Sequence, residues 1–384
     1  MRIIPIASGK GGVGKSLLAA NLAIALGQGN RRVVLADLDL GASNLHLVLG
    51  EQAVKKGLGT FLTKGSSFEE SIHTTSYENV RFIPGDSEIP GLSALKLPQR
   101  MSVLRNFNKL EDSTDYLILD LGAGTHLSIL DFFLLSPRGI VVTSPFVTAT
   151  LNAYLFLKNT VFRLLFNSFK KGTPGRDYIE KLRKDSSSLQ RLYIPKLIEI
   201  LGKADPENTE TFLRYMNVFR PRIVMNMIDG PQDAEKAGKI RRSCREYLNL
   251  DLEHLGVIYR DSVQDIALAS RLPVLVYKPR SVLAQAVYRI AEKIIQSEEE
   301  EPAGSPEAFT ELNDDSFQSA EMEASVDFEA KMESVEELAG SGALSSGDLA
   351  EIIKSQQYDL SVLKKENTLL KAKLLEAARQ GFKV

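Results

Sequence analysis

Nine residues near the start of the chain, Ser8–Ser16 with sequence SGKGGVGKS, constrain its fold more than any other feature. Gly9, Gly14, Lys15 and Ser16 satisfy the phosphate-loop pattern G-x-x-x-x-G-K-[ST]. The preceding IIPIA reads as a buried strand, and the following LLAANLAIALGQG reads as a helix ending near Gly27 or Gly29. Glycines between a strand and a helix let backbone N–H groups turn inward around phosphate oxygens, at the positive end of the helix dipole. Lys15 would neutralise β/γ-phosphate charge and the Ser16 hydroxyl would ligate Mg²⁺. A glycine turn that only caps a helix is the plainer alternative. Every motif position is filled in the right context, and that argues against it.

Strand and helix patterns alternate from Met1 to about Ser297, which implies an α/β fold with a mostly parallel, doubly wound sheet. Strands are expected at Arg2–Ala7, Arg32–Asp37, Val80–Pro84, Tyr116–Asp120, Gly139–Thr143, Arg222–Asn226 and His254–Ile258. Pro5 lies inside the first of these, where a ladder donor is normally wanted.

A second lysine, Lys10, sits inside the loop and gives K-G-G-V-G-K-S, the deviant phosphate loop of the MinD/ParA ATPases, which the chain resembles. VVLADLDLGASNLHLVLG (Val33–Gly50) resembles that family's second strand and switch I, and YLILDLGAGTHLSILDFFL (Tyr116–Leu134) its acidic strand and switch II. Gly139–Lys158 and Leu252–Ser281 are similar to later elements of the flagellar-number (FlhG) branch and its MinD relatives. The resemblance covers about residues 1–297 with one interruption, and implies a P-loop NTPase of the SIMIBI type.

The resemblance also implies residue roles. Backbone amides of Gly11, Gly12, Val13, Gly14, Lys15, Ser16 and Leu17 would hold phosphates. Ser16 would bind Mg²⁺ directly and Asp120 through water. Asp39 would orient the attacking water, while Asp37 would support the metal region or merely cap its loop. Gly122 could donate its N–H to the γ-phosphate. Lys10 would reach a partner's phosphates across an ATP-dependent homodimer, and Asn226 would read adenine, with Arg260 and Asp261 nearby. His46, His73, His126 and His254 are scattered without ligand spacing.

Composition narrows the setting. A single cysteine, Cys244, excludes an internal disulfide, fits a reducing cytosol and rules out cluster-bearing relatives that need paired cysteines. No apolar run reaches the roughly 18–20 residues of a membrane span, and no signal-peptide pattern opens the chain. The expected location is cytoplasmic, with the inner face of the membrane or a cell pole as peripheral sites. A helical insertion is expected at about 161–219, and Lys158–Arg222 carries fourteen Lys/Arg against seven Asp/Glu. Such charge suits non-specific DNA, anionic lipid or a protein partner, or simply a solvated face. Residues 298–347 read as an acidic disordered linker, since Glu298–Glu337 holds fifteen acids and one lysine. Residues 348–380 return to helix, with Leu349, Ile353, Gln356, Leu360, Leu363, Asn367, Leu370 and Leu374 at heptad spacing, the pattern of a coiled coil.

The expected function is an ATPase dimerisation switch, using ATP and Mg²⁺, that sites or counts a cellular machine such as the flagellum. It would answer to a protein activator or cargo. A DNA-associated partition ATPase and a non-enzymatic nucleotide-binding scaffold are the alternatives.

Overall fold

In the computed structural model, strand residues alternate between two separate cores, one on each face of a single sheet. The structure describes residues 1–40, 43–52, 56–85, 95–184, 193–299 and 306–340, together with Thr368 and Leu370. The strands are β1 (Arg2–Ser8), β2 (Val33–Leu38), β3 (His73–Thr74), β4 (Val80–Ile83), β5 (Tyr116–Ala123), β6 (Ile140–Thr143), β7 (Arg222–Ile228) and β8 (Glu253–Tyr259). Their order is β3-β4-β2-β5-β1-β6-β7-β8, with only the β3–β4 pair antiparallel. Val34, Ala36, Leu117, Leu119 and Val141 enter one core; Val33, Leu35, Ile118, Ile140 and Val142 enter the other. That period-2 split, apolar on both sides, is what a parallel sheet covered on both faces requires.

Helix α1 (Lys15–Gln28) is buried along nearly its whole length, as a helix apolar on all sides must be. On its face lies α2 (Leu45–Leu49), whereas α3 (Leu58–Leu62) and α4 (Leu97–Asn108), next along the chain, pack into the opposite core through Leu58, Val103 and Phe107. The opposite core holds α4, α5 (Leu127–Phe133), α6 (Val147–Ser168), α7 (Pro174–Lys184), α8 (Ile194–Ala204), α9 (Pro206–Val218) and α10 (Glu235–Leu248). Helices α11 (Val263–Ala269), α12 (Val274–Tyr277) and α13 (Val282–Glu299) return to the first core.

The inserted helices begin at residues that favour helix starts. Pro174 opens α7, and Asp205 caps α9 by accepting the Asn208 N–H, with Pro206 in the first turn. Their apolar faces, through Ile179, Leu197, Leu201 and Phe212, extend the main core. Several of the segment's cations are paired within the fold: Arg163 with Asp131, Lys170 with Glu207, Arg176 with Glu180 and Arg222 with Glu253.

Pro5 is accommodated by where pairing begins. Arg2 donates its N–H to Asp115 on the β5 side, so strand alternation turns the Pro5 nitrogen toward β6. Pairing with β6 starts only at Ile6, so no ladder bond is lost there.

One expectation is corrected. The acidic segment expected to be a disordered linker is, over Pro306–Gly340, a single helix, α14. The chain divides into two compact units, Met1–Phe328 and Glu329–Val384, so most of α14 belongs to the first, the main body. A stripe at three- and four-residue spacing explains this: Asn313, Phe317, Ala320, Ala324 and Asp327 are all buried. Its acids meet cations of the body, Asp314 pairing with Arg241, Glu323 with Lys293 and Asp327 with Arg289. Self-repulsion, the argument for disorder, is therefore neutralised locally. The heptad segment lies outside the described residues except for Thr368 and Leu370, which are helical and exposed. No described helix is long and apolar enough to cross a membrane.

Candidate functional site

The loop from Gly9 to Gly14 joins β1 to α1 at the carboxyl edge of the sheet, beside the point where strand order reverses. Gly12 and Gly14 have φ of +79° and +81°, backbone that only glycine adopts without strain. Space adds a second constraint at Gly14, where a Cβ would overlap the Asn226 side-chain nitrogen. That same nitrogen donates to the Val13 carbonyl at 2.8 Å, so Asn226 clamps the loop from β7. The first turn of α1 has no side-chain cap, which leaves its N–H groups for an anion.

Below the loop, Asp37 and Asp120 are neighbours across the β2–β5 ladder, and both are buried. Lys15 is only 7% exposed; its ammonium pairs with Asp120 and lies 3.3 Å from the Ser16 hydroxyl. Burial raises the Asp120 pKa, and the Lys15 charge opposes that rise. Asp37 has no such cation on its carboxylate, and burial together with the Asp120 charge pushes its pKa up to about 7. It accepts the Ser43 hydroxyl at 2.6 Å and the Asp39 N–H at 2.9 Å, which organise the chain leaving β2. Asp37 thus shapes its loop from a position beside Asp120. The Ser16 hydroxyl and Asp120 form a hard oxygen donor set that suits Mg²⁺.

The two switch segments touch. A Cβ on buried Gly122 would come 3.3 Å from the Asp39 carboxylate, and the Gly124 N–H donates to Ser8 at 3.0 Å. Asp39 and the end of β5 thus sit beside the loop, where sequence placed them.

Lys10 is exposed, and its ammonium donates to the Thr148 hydroxyl at 3.3 Å. Next to it, Phe146 and Val147 are 53% and 81% exposed. On the other flank of the loop, Leu17, Asn226, Met227, Tyr259 and Asp261 line a recess. Asn226 accepts the Met227 N–H at 2.9 Å, so both ends of its amide already serve the fold. Arg260 pairs with Asp229 at 3.2 Å. His126 lies near switch II, whereas His254 is buried at the far edge of the sheet.

Sequence reading missed residues that reach the site from other segments. Ser43 anchors Asp37, Thr148 meets Lys10, and Asn152 packs its carbonyl so closely on Gly9 that a Cβ there would overlap it. Tyr259 is buried and donates its hydroxyl to Ala324 of α14 at 2.6 Å. Only Ser43, in the loop after a DLD motif, carried a local signal.

Comparison with known proteins gives a consistent picture. The family described as the CobQ/CobB/MinD/ParA nucleotide binding domain matches residues 4–274. The antiactivator FleN of Pseudomonas aeruginosa is 30% identical over 191 residues, 48% of this chain and 68% of FleN. The flagellum site-determining protein YlxH of Helicobacter pylori is 31% identical over 245 residues, 60% of this chain and 77% of YlxH. Among solved structures, the septum site-determining protein MinD of Pyrococcus horikoshii, complexed with Mg-ADP, superposes with a TM-score of 0.50 and 24% identity. That match covers 76% of this chain and 95% of that one, and speaks to the fold alone.

Proposed function

Because the chain belongs to the MinD/ParA family of P-loop ATPases, near its FlhG branch, we propose that it is an ATP-dependent dimerisation switch. ATP would favour the dimer, hydrolysis would dissolve it, and the two states would present different surfaces to a partner. The observation that carries this reading is the opposite setting of two lysines in one loop. Lys15 is folded inward on Asp120, while Lys10 stands exposed beside Phe146 and Val147. A cation at an apolar exposed rim is placed to act on a second molecule.

Phosphoryl transfer to water relies on positioning and charge neutralisation. Lys15 must leave Asp120 to meet the β/γ-phosphates, and the loop amides from Gly11 to Leu17 cradle them. Mg²⁺, when bound, would screen the phosphate charge, held by Ser16 directly and by Asp120 through water. Asp39 orients the attacking water, and Gly122 reports the γ-phosphate to switch II. The biological task is spatial, siting or counting a machine such as the flagellum, a reading supported by the names of FleN and YlxH.

Steady-state hydrolysis tests the chemistry. Mg-ATP turnover should be slow in the isolated chain, absent with Lys15→Ala, and absent with Asp39→Ala although that variant still binds ATP. Turnover by Asp39→Ala at the wild-type rate would remove Asp39 from the mechanism.

A further inference from the structure

Helix α6 starts beside Lys10 and runs toward the inserted helices, and a groove of about 360 Å³ lies along its second half. Leu155, Phe162 and Phe166 of α6 line it, with Ile179 and Leu182 of α7 and Leu127 of switch II. The insertion and switch II therefore meet in one lining. From Leu155 to Phe166 the helix advances about 16 Å, roughly three turns. A groove of that length can take one face of a second helix, whose apolar side chains recur every three or four residues.

The charge of the lining has one sign. Lys158, Arg163 and Arg183 contribute to it, and no acid among the described residues does. Arg163 is answered from beside the groove by Asp131 of α5, at 2.6 Å. Arg183 is exposed; its guanidinium lies 5.4 Å from the centre of the Phe166 ring and pairs with no carboxylate among the described residues. Phe162, Phe166 and Leu182 are half-buried and Ile179 is buried, so these apolar groups are recessed. A lipid surface is met by apolar groups that project, whereas a recess between helices suits an inserted side chain.

We propose that this groove docks an acidic amphipathic helix of a partner protein, and that switch II sets its affinity. Leucine-type side chains would fill the groove, and a carboxylate beside them would meet the Arg183 guanidinium. The second half of the proposal rests on the switch reading above. Leu127 follows Gly122 and Gly124 closely, so a switch II that moves on hydrolysis changes the lining.

The probe is a synthetic fluorescent helix with leucines at i, i+3, i+4 and i+7 and glutamates flanking them. Its twin carries lysines in place of the glutamates. Fluorescence anisotropy is read on the full chain in the Asp39→Ala background, loaded with Mg-ATP or with Mg-ADP. The glutamate peptide should bind saturably, about tenfold tighter than its twin, and with different affinity in the two nucleotide states. Leu155→Glu should weaken it about tenfold or more, because a charge enters the apolar groove. Arg183→Glu, on an exposed side chain, should reverse the preference between the peptides, and it carries the test if Leu155→Glu fails to fold. Equal binding of the two peptides, or a preference that survives Arg183→Glu, overturns the proposal. So does binding to anionic vesicles, abolished by Arg183→Glu, without binding of either peptide. Equal affinity with Mg-ATP and Mg-ADP overturns the link to switch II; dimerisation, read separately by sedimentation, stands or falls on its own.

Discussion

Asp37 and Asp120 stand side by side on adjacent strands, yet only Asp120 has a cation on its carboxylate. The imbalance has a consequence for pH. The Asp37 pKa is raised from 3.8 to about 7, so its contribution to stability is full below the unfolded value and is lost as pH rises through 7. Asp37→Asn should therefore stabilise the nucleotide-free chain more at pH 8 than at pH 4.5. The gain is at most about 4 kcal/mol, three pKa units of linkage. Urea denaturation at the two pH values measures it, and an equal effect at both would mean that the carboxyl is not pushed up.

Asn226 separates two readings just as sharply. If it serves as the loop clamp, Asn226→Ala should weaken Mg-ATP and inorganic tripolyphosphate alike, by about tenfold for one lost hydrogen bond to a buried carbonyl. If it reads adenine, tripolyphosphate should be unaffected. Calorimetric titration of both ligands decides. The residues of the loop itself were legible because Gly14, Lys15 and Ser16 are contiguous. Asn152 and Thr148 were not, because α6 brings them from more than a hundred positions away.

Elements were legible where periodicity was strong and hidden where composition spoke louder. All seven expected strands are present, and the one missed is the two-residue β3 on the sheet's edge. Helix α14 was hidden by the acidity of its segment, since fifteen acids against one lysine over Glu298–Glu337 say nothing about a stripe led by Phe317. If that stripe holds the helix on the body, Phe317→Ala should cost about 3–5 kcal/mol, as for other buried aromatics. Met322→Ala, on the exposed side of the same helix, should cost almost nothing. Chemical denaturation of the two variants distinguishes a docked helix from a tether, for which both values would be near zero. The helix also reaches the recess beside the phosphate loop through the Tyr259 hydroxyl; if that recess takes the base, Tyr259→Phe should lower ATP affinity modestly in a calorimetric titration and leave tripolyphosphate unaffected.

At the scale of the whole molecule, the sheet carries the phosphate loop at its carboxyl edge, with exposed Lys10, Phe146 and Val147 beside it. Fold class was legible from the alternation of strand and helix patterns, and family from the phosphate loop with its second lysine, Lys10. The assembly was not, because it depends on a second copy and on heptads beyond the described residues. Those heptads remain an expectation of a parallel coiled coil that would tether two heads and make their closure intramolecular. For that reason the most direct test of the switch uses the compact unit Met1–Phe328 rather than the full chain. Sedimentation of this unit in the Asp39→Ala background should give a dimer with Mg-ATP and a monomer with Mg-ADP. Adding Lys10→Ala should return the Mg-ATP sample to monomer while leaving ATP binding intact. A dimer that survives Lys10→Ala, or a mass that ignores the nucleotide, would contradict the account.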